Sequence, residues 1–180
     1  YQVGLGYSAV QSGLLIMPQP LAAFCLKLTM SQILARFGFR RVLLANTLLM
    51  GMLMMLFATI GVGTSVFQIV VQAFAYGFVS SLQFTSMNTL VYSDVPGRDT
   101  SQASTMASTG QQMALSFGVA TASLAAALFI PDRTRASAAG MVHGTHEAFL
   151  VLGALTSLSS IVFFMLKTTD GANVSLHADA

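Results

Sequence analysis

Long apolar runs, interrupted at intervals by short charged patches, set the pattern of this chain. Between Ser8 and Ala35 the only ionised side chain is Lys27, and none occurs from Val42 to Ser93, from Thr100 to Pro131 or from Ala148 to Leu166. An ionised group at the centre of a bilayer costs about 2.5 to 3.5 kcal/mol on insertion scales, so charges gather in the connections between spans. A spanning helix needs about 20 predominantly apolar residues. The run from Val42 to Ser93 is too long for one helix, and Gly61-Val62-Gly63-Thr64-Ser65 supplies a turn that divides it. The pattern therefore predicts an all-α integral membrane protein with five transmembrane helices at about 8–35, 42–60, 66–92, 102–130 and 147–167, followed by a tail over 168–180. A membrane barrel would need segments of about ten residues alternating apolar and polar, and these runs do not alternate.

Composition supports this reading. Hydrophobic residues make up 54% of the 180 and charged residues only 8%, against about 25% charged in a typical soluble domain. The mean hydropathy is +0.73. Cytosolic enzymes, disordered tails and secreted disulfide scaffolds are excluded together, and the single Cys25 permits no internal disulfide. A formal net charge of +2 without a basic run offers no footprint for nucleic acid. The chain opens on Tyr1 and an apolar stretch, without an initiating Met or a charged leader, and reads as a piece of something longer.

Charge also predicts orientation. Arg36, Arg40, Arg41, Arg98 and Lys167 fall on one side of the predicted bundle, and Arg133 and Arg135 on the other. By the positive-inside rule the first side, with the C-terminal tail, is cytoplasmic.

Candidate chemistry lies mostly on the third helix. At about 100° per residue, Gln68, Gln72, Tyr76, Ser80, Gln83 and Ser86 fall within about 120° of one another and form a polar stripe. Two readings stand side by side: a cavity wall that hydrogen-bonds a substrate while Tyr76 supplies an aromatic contact, or interhelical hydrogen bonding. Lys27 is the only cation inside a span. It reads either as a residue of the transport path or as a snorkelling side chain. Gly110, Ala114, Gly118 and Ala122 recur at four-residue spacing and predict a close helix-packing face. Pro18 and Pro20 remove two backbone donors and predict a kink. Met50, Met52, Met54 and Met55 crowd the second helix and read either as lipid-facing filler or as an adaptable binding wall.

His143, His146 and Glu147 form H-x-x-H-E in the predicted external loop. With Gly144 between the histidines and no further ligand nearby, the expectation is no metal site, with Thr145 capping the last helix beside Glu147. No phosphate-binding loop, nucleophile and base constellation or catalytic cysteine arrangement occurs, so neither an enzyme nor a cofactor is expected.

The connection Leu34-Ala35-Arg36-Phe37-Gly38-Phe39-Arg40-Arg41 resembles a worn signature loop of the major facilitator superfamily, G-x-L-A-D-R-x-G-R-R. Arg36, Gly38 and Arg40 fit that form and Arg41 extends it; Ser31, Ala35 and Phe39 depart from it. The segments Gly6 to Ala9, Gly13 to Pro18, Gln83 to Thr89, and Gln111-Gln112 followed by Ser116 to Ala120 resemble the fourteen-helix drug:proton antiporter branch, the EmrB/QacA type. Gln111, Ala114 and Leu115 depart from that branch.

The resemblance covers nearly the whole chain and implies the last five helices of a six-helix C-terminal bundle. It implies export of small amphipathic compounds from a bacterial inner membrane by alternating access coupled to protons, with an N-terminal bundle of the same polypeptide as partner. Every acid here, Asp94, Asp99, Asp132, Glu147, Asp170 and Asp179, falls in a predicted loop, end or tail, so a proton carrier is expected in the N-terminal half. Two alternatives stay open: a facilitator for sugars, peptides or metabolites, and a membrane scaffold that moves no solute.

Overall fold

A computed structural model describes residues 2–61, 63–93, 95–130 and 137–167. Among them there is no strand, and five segments are long and apolar enough to cross a membrane. The elements are α1 (Gln2–Leu5), α2 (Ala9–Ile16), α3 (Pro18–Leu56), α4 (Val66–Ser93), α5 (Thr100–Phe129) and α6 (Ala138–Ser159). Short 3-10 turns follow α3 at Phe57–Thr59 and α6 at Ser160–Met165.

The first predicted helix is observed as α2 joined to the first half of α3. Ser8 opens it with a reciprocal cap: its hydroxyl accepts from the Gln11 amide, and the Gln11 side chain accepts from the Ser8 amide. At Met17 the chain keeps helical angles, but Pro18 and Pro20 have no N–H to offer the carbonyls of Leu14 and Ile16, and the hydrogen-bond ladder is interrupted there.

The predicted loop from Arg36 to Arg41 is shorter than expected. Helical geometry runs through Phe37 and resumes at Phe39, so the turn is the single residue Gly38, at φ 71° and ψ 160°. That combination is almost exclusive to glycine. The two arms of α3, 18–37 and 39–56, then lie against α4 in opposite directions. Gln19 approaches Gly77 while Leu26 clusters with Leu82, so the first arm runs parallel to α4. Asn46 meets Val79 and Gln83 while Phe57 meets Tyr76, so the second arm runs antiparallel.

Helix α6 packs antiparallel to the second arm, through a seam where Gly51 and Gly153 bring the two backbones together. A methyl group added to either would strike the facing carbonyl, at 2.7 Å in both directions. This helix corrects the sequence reading. It begins at Ala138, capped by the Ser137 hydroxyl, well before the predicted start at Glu147. Thr145 is an interior residue whose hydroxyl donates to Met141 O, and it caps nothing. The helix starts early because His146 finds a buried acceptor across the bundle and Gly144 lets the end of α5 approach its backbone.

The core is thin. Leu26, Leu34, Phe39, Val42 and Leu82 form one buried cluster, and Leu15, Ile60 and Ile69 another. Outward faces are apolar too: Phe24, Leu28, Phe67, Met106 and Phe117 are all exposed. Hydrocarbon, not water, suits a surface of that kind.

Candidate functional site: two cavities meeting at Tyr76

Two cavities lie along α4 and share Tyr76. The first, about 400 Å³, opens near the α3–α4 connection and is bordered by Gln19, Met54, Phe57, His146 and Phe149 as well as Tyr76. The second, about 420 Å³, continues toward the Gly38 end, bordered by Met50, Ser80, Gln83, Asn88 and Gln111.

Aromatic rings gather around Tyr76 in the first cavity. Phe57 meets Tyr76 edge-on, with centroids 5.7 Å apart and planes at 81°, and stacks on Phe149 at 5.7 Å and 29°. Such geometries suit ring quadrupoles and hold each other in place. His146 secures α6 to the far side of the same cluster. Its Nε2 lies 2.6 Å from the carbonyl oxygen of Ile60, which can only accept, so Nε2 carries the proton. His143 and Glu147 point outward instead, 3.9 Å apart and one helical turn from each other. Within the H-x-x-H-E segment His146 thus turns into the bundle while His143 and Glu147 sit at its rim, and no three His, Cys, Asp or Glu side chains converge among the described residues.

The polar stripe separates by depth. Tyr76, Ser80 and Gln83 border the cavities. Gln68 is exposed at the start of α4, where its amide donates to the Ser65 hydroxyl, and it borders neither cavity. Gln72 and Ser86 are buried; Gln72 Oε1 and Ser86 Oγ have no hydrogen-bond partner among the described residues. Gln83 joins both readings of the stripe, because it faces the cavity and also bonds another helix.

That bond comes from Asn46, which the sequence reading missed. Asn46 is buried on the second arm of α3, and its Nδ2 donates to Val79 O at 2.8 Å and to Gln83 Oε1 at 2.9 Å. The signal was present: Asn46 is a primary amide in a segment free of charge, and such a group needs a partner when water is excluded. On the other flank Asn88 Nδ2 donates to Phe84 O, and Gln111 Nε2 donates to Asn88 Oδ1, each at 2.8 Å. This places Gln111, one of the departures from the antiporter pattern, at the cavity edge.

Lys27 is exposed on the first arm between Phe24 and Leu28, which are exposed as well, and it borders neither cavity. The predicted packing face of α5 meets no helix within the described chain. Gly110, Ala114, Gly118 and Ala122 are all exposed, and nothing lies within 4 Å of a methyl placed on either glycine. At the Gly38 turn, Arg40 Nη2 donates to Phe164 O at 3.2 Å, capping the end of the last helix. Arg36 lies 5.8 Å from the Phe37 ring centroid, and Arg41 is exposed. The basic turn and the end of the final span therefore share one end of the bundle; Arg133 and Arg135, the other side of the charge count, lie outside the described residues.

Comparison with curated proteins places these residues in company. The chain is 33% identical over 165 residues to a protein of Pectobacterium atrosepticum named "Putative multidrug resistance protein MdtD", covering 92% of this chain and 34% of that one. A protein of the same name from Cronobacter sakazakii is 32% identical, with 90% and 34% covered. Another from Klebsiella pneumoniae is 31% identical, with 96% and 36% covered. No family model matches the chain, and no solved structure matches it. The chain thus spans about a third of the length of the curated relatives it matches, and along nearly all of its own length it is similar to bacterial proteins named for multidrug resistance.

Proposed function

We propose that this chain is the C-terminal part of a major facilitator drug:proton antiporter in a bacterial inner membrane, with its transport path along the Tyr76 face of α4. The observation that carries this reading is the run of uncharged polar groups from Tyr76 to Gln83 bordering two adjoining cavities inside an apolar, membrane-spanning bundle. Similarity to proteins named for multidrug resistance supports it. Alternating access then requires an N-terminal bundle facing this one, and the exposed small-residue face of α5 is where that bundle packs. The Arg36–Arg41 turn and the tail face the cytoplasm.

The test uses the protein expressed from its complete coding region. Energised cells should accumulate less of an amphipathic drug, and a protonophore should abolish this. Tyr76→Ala should cut extrusion at least about tenfold while the amount of protein in the membrane stays normal, because the ring both borders the two cavities and holds Phe57. Extrusion that survives collapse of the proton gradient, or that Tyr76→Ala leaves unchanged for every exported compound, would overturn the reading.

Lys27 lies outside this path. Its position, eight residues before Ala35, puts it about 12 Å along the helix from that end, and its apolar neighbours suit a stem that carries the ammonium toward the headgroups. Lys27→Gln should therefore leave extrusion at the wild-type rate; a loss with normal abundance would return Lys27 to the path.

A further inference from the structure

The second cavity has a polarity that the stripe of amides and hydroxyls alone does not reveal. Val79 O is a carbonyl oxygen and can only accept, so the nitrogen of the Asn46 amide, not its oxygen, faces α4. Its second hydrogen goes to Gln83 Oε1. Turning the Gln83 amide over would set two NH2 groups against each other and forfeit that bond. Gln83 therefore has its carbonyl engaged, and its Nε2 is the end left for the cavity it borders. The other polar groups are largely committed. The Ser80 hydroxyl donates to Gly77 O, Asn88 is engaged through both ends of its amide, and Gln111 at the edge gives its Nε2 to Asn88 and keeps Oε1 as an acceptor. Among the described residues no Asp, Glu, Lys, Arg or His borders this cavity.

We infer that this cavity binds uncharged organic molecules carrying a hydrogen-bond acceptor, and that Asn46 is the residue positioning Gln83 to donate to them. The inference deepens the transport reading and rests on it for its role in the cell. A cation entering here gives up hydration and finds no carboxylate to replace it. A neutral carbonyl, nitro or ether oxygen loses far less and gains a donor from Gln83, with the Tyr76 hydroxyl offering a second at the shared end of the cavities. Met50 and Met87 on the walls adapt to varied shapes, so the donor selects the polarity and the thioethers tolerate the outline.

The experiment measures equilibrium binding to the protein from its complete coding region in lipid nanodiscs, using two probes. Chloramphenicol is uncharged and carries amide and nitro acceptors; ethidium is a flat permanent cation. Wild type should bind chloramphenicol the more tightly. Gln83→Met, close in shape but with no donor, should weaken chloramphenicol about tenfold. Gln83→Glu still accepts from Asn46 but turns a carboxylate oxygen to the cavity, so it should weaken chloramphenicol and tighten ethidium about tenfold. Asn46→Leu should weaken chloramphenicol as Gln83→Met does, and the two Gln83 variants keep Asn46 partnered by Val79 if that protein fails to fold. Tighter ethidium binding by wild type, no chloramphenicol binding, or chloramphenicol binding unmoved by both Gln83 variants would overturn the inference. Parallel extrusion assays separate the two claims. Binding that follows this order without proton-driven extrusion leaves the site standing and removes the transporter; proton-driven extrusion with indifferent binding does the reverse.

Discussion

Leucine in place of Gly77 will force α4 away from the first arm of α3 and lower the amount of folded protein in the membrane several-fold. A Cβ at position 77 falls 2.5 Å from Gln19 Cα and 2.7 Å from Gln19 O. Both are backbone atoms of a facing helix, so no rotamer change removes the conflict. Overpacking a tight core costs about 1 to 3 kcal/mol for added methylenes, and leucine adds four carbons at a point of backbone contact. Against a total stability of about 5 to 15 kcal/mol, that is a large fraction. Thermal unfolding of the purified protein should show a clear fall in midpoint for Gly77→Ala and a larger one for Gly77→Leu. A leucine protein as stable as wild type would mean that the two helices do not approach as described. Because Gly77 adjoins Tyr76, the alanine protein should also lose transport before it loses abundance.

Valine at position 38 is expected to produce the second large loss by a different route. Gly38 has open space around it, with nothing within 4 Å of an added Cβ, so the penalty is confined to the backbone. At φ 71° and ψ 160° a non-glycine residue costs about 1 to 3 kcal/mol, and a β-branched one lies at the upper end. The consequence reaches beyond local strain, because Gly38 is the whole of the reversal that sends the second arm back along α4. Gly38→Val should lower the unfolding midpoint and weaken the contact of Arg40 with the end of the last helix, seen as faster hydrogen exchange around Phe164. Equal midpoints for the two proteins would show that the turn tolerates side chains. Two replacements, at Gly77 and at Gly38, thus probe packing and backbone geometry separately.

Much of this molecule was legible along the chain. The uncharged runs located all five spans, because exclusion of charge from hydrocarbon is a property of each residue and its immediate neighbours. The stripe containing Tyr76, Ser80 and Gln83 was visible from helical periodicity, and those three border the cavities. Three members of the set, Gln68, Gln72 and Ser86, do not: the first lies at the exposed start of the helix and the other two are buried. Periodicity gives an angle around a helix axis; the neighbour at that angle is a separate matter. The start of α6 was misread because the histidines and Glu147 looked like a polar loop. In the folded chain His146 is satisfied by Ile60 O, and a polar side chain with a partner is no longer a reason to end a helix.

The sequence by itself determined that the chain is helical, that it spans a membrane five times, and which end of the bundle gathers the basic residues. Each of these follows from short-range terms: the transfer cost of a charge, the length of a helix that crosses hydrocarbon, and the few residues that permit a turn. Only the tertiary structure decided that Gly38 alone makes the first reversal, that Phe57, Tyr76 and Phe149 close into one aromatic cluster, and that Asn46 turns the amide of Gln83. Those outcomes depend on pairs as far apart along the chain as Asn46 and Gln83, whose separation is 37 residues. Their geometry is set by how closely two backbones approach at Gly77 and at the Gly51–Gly153 seam, and helix-to-helix distance is a property of the packed bundle that no single segment encodes.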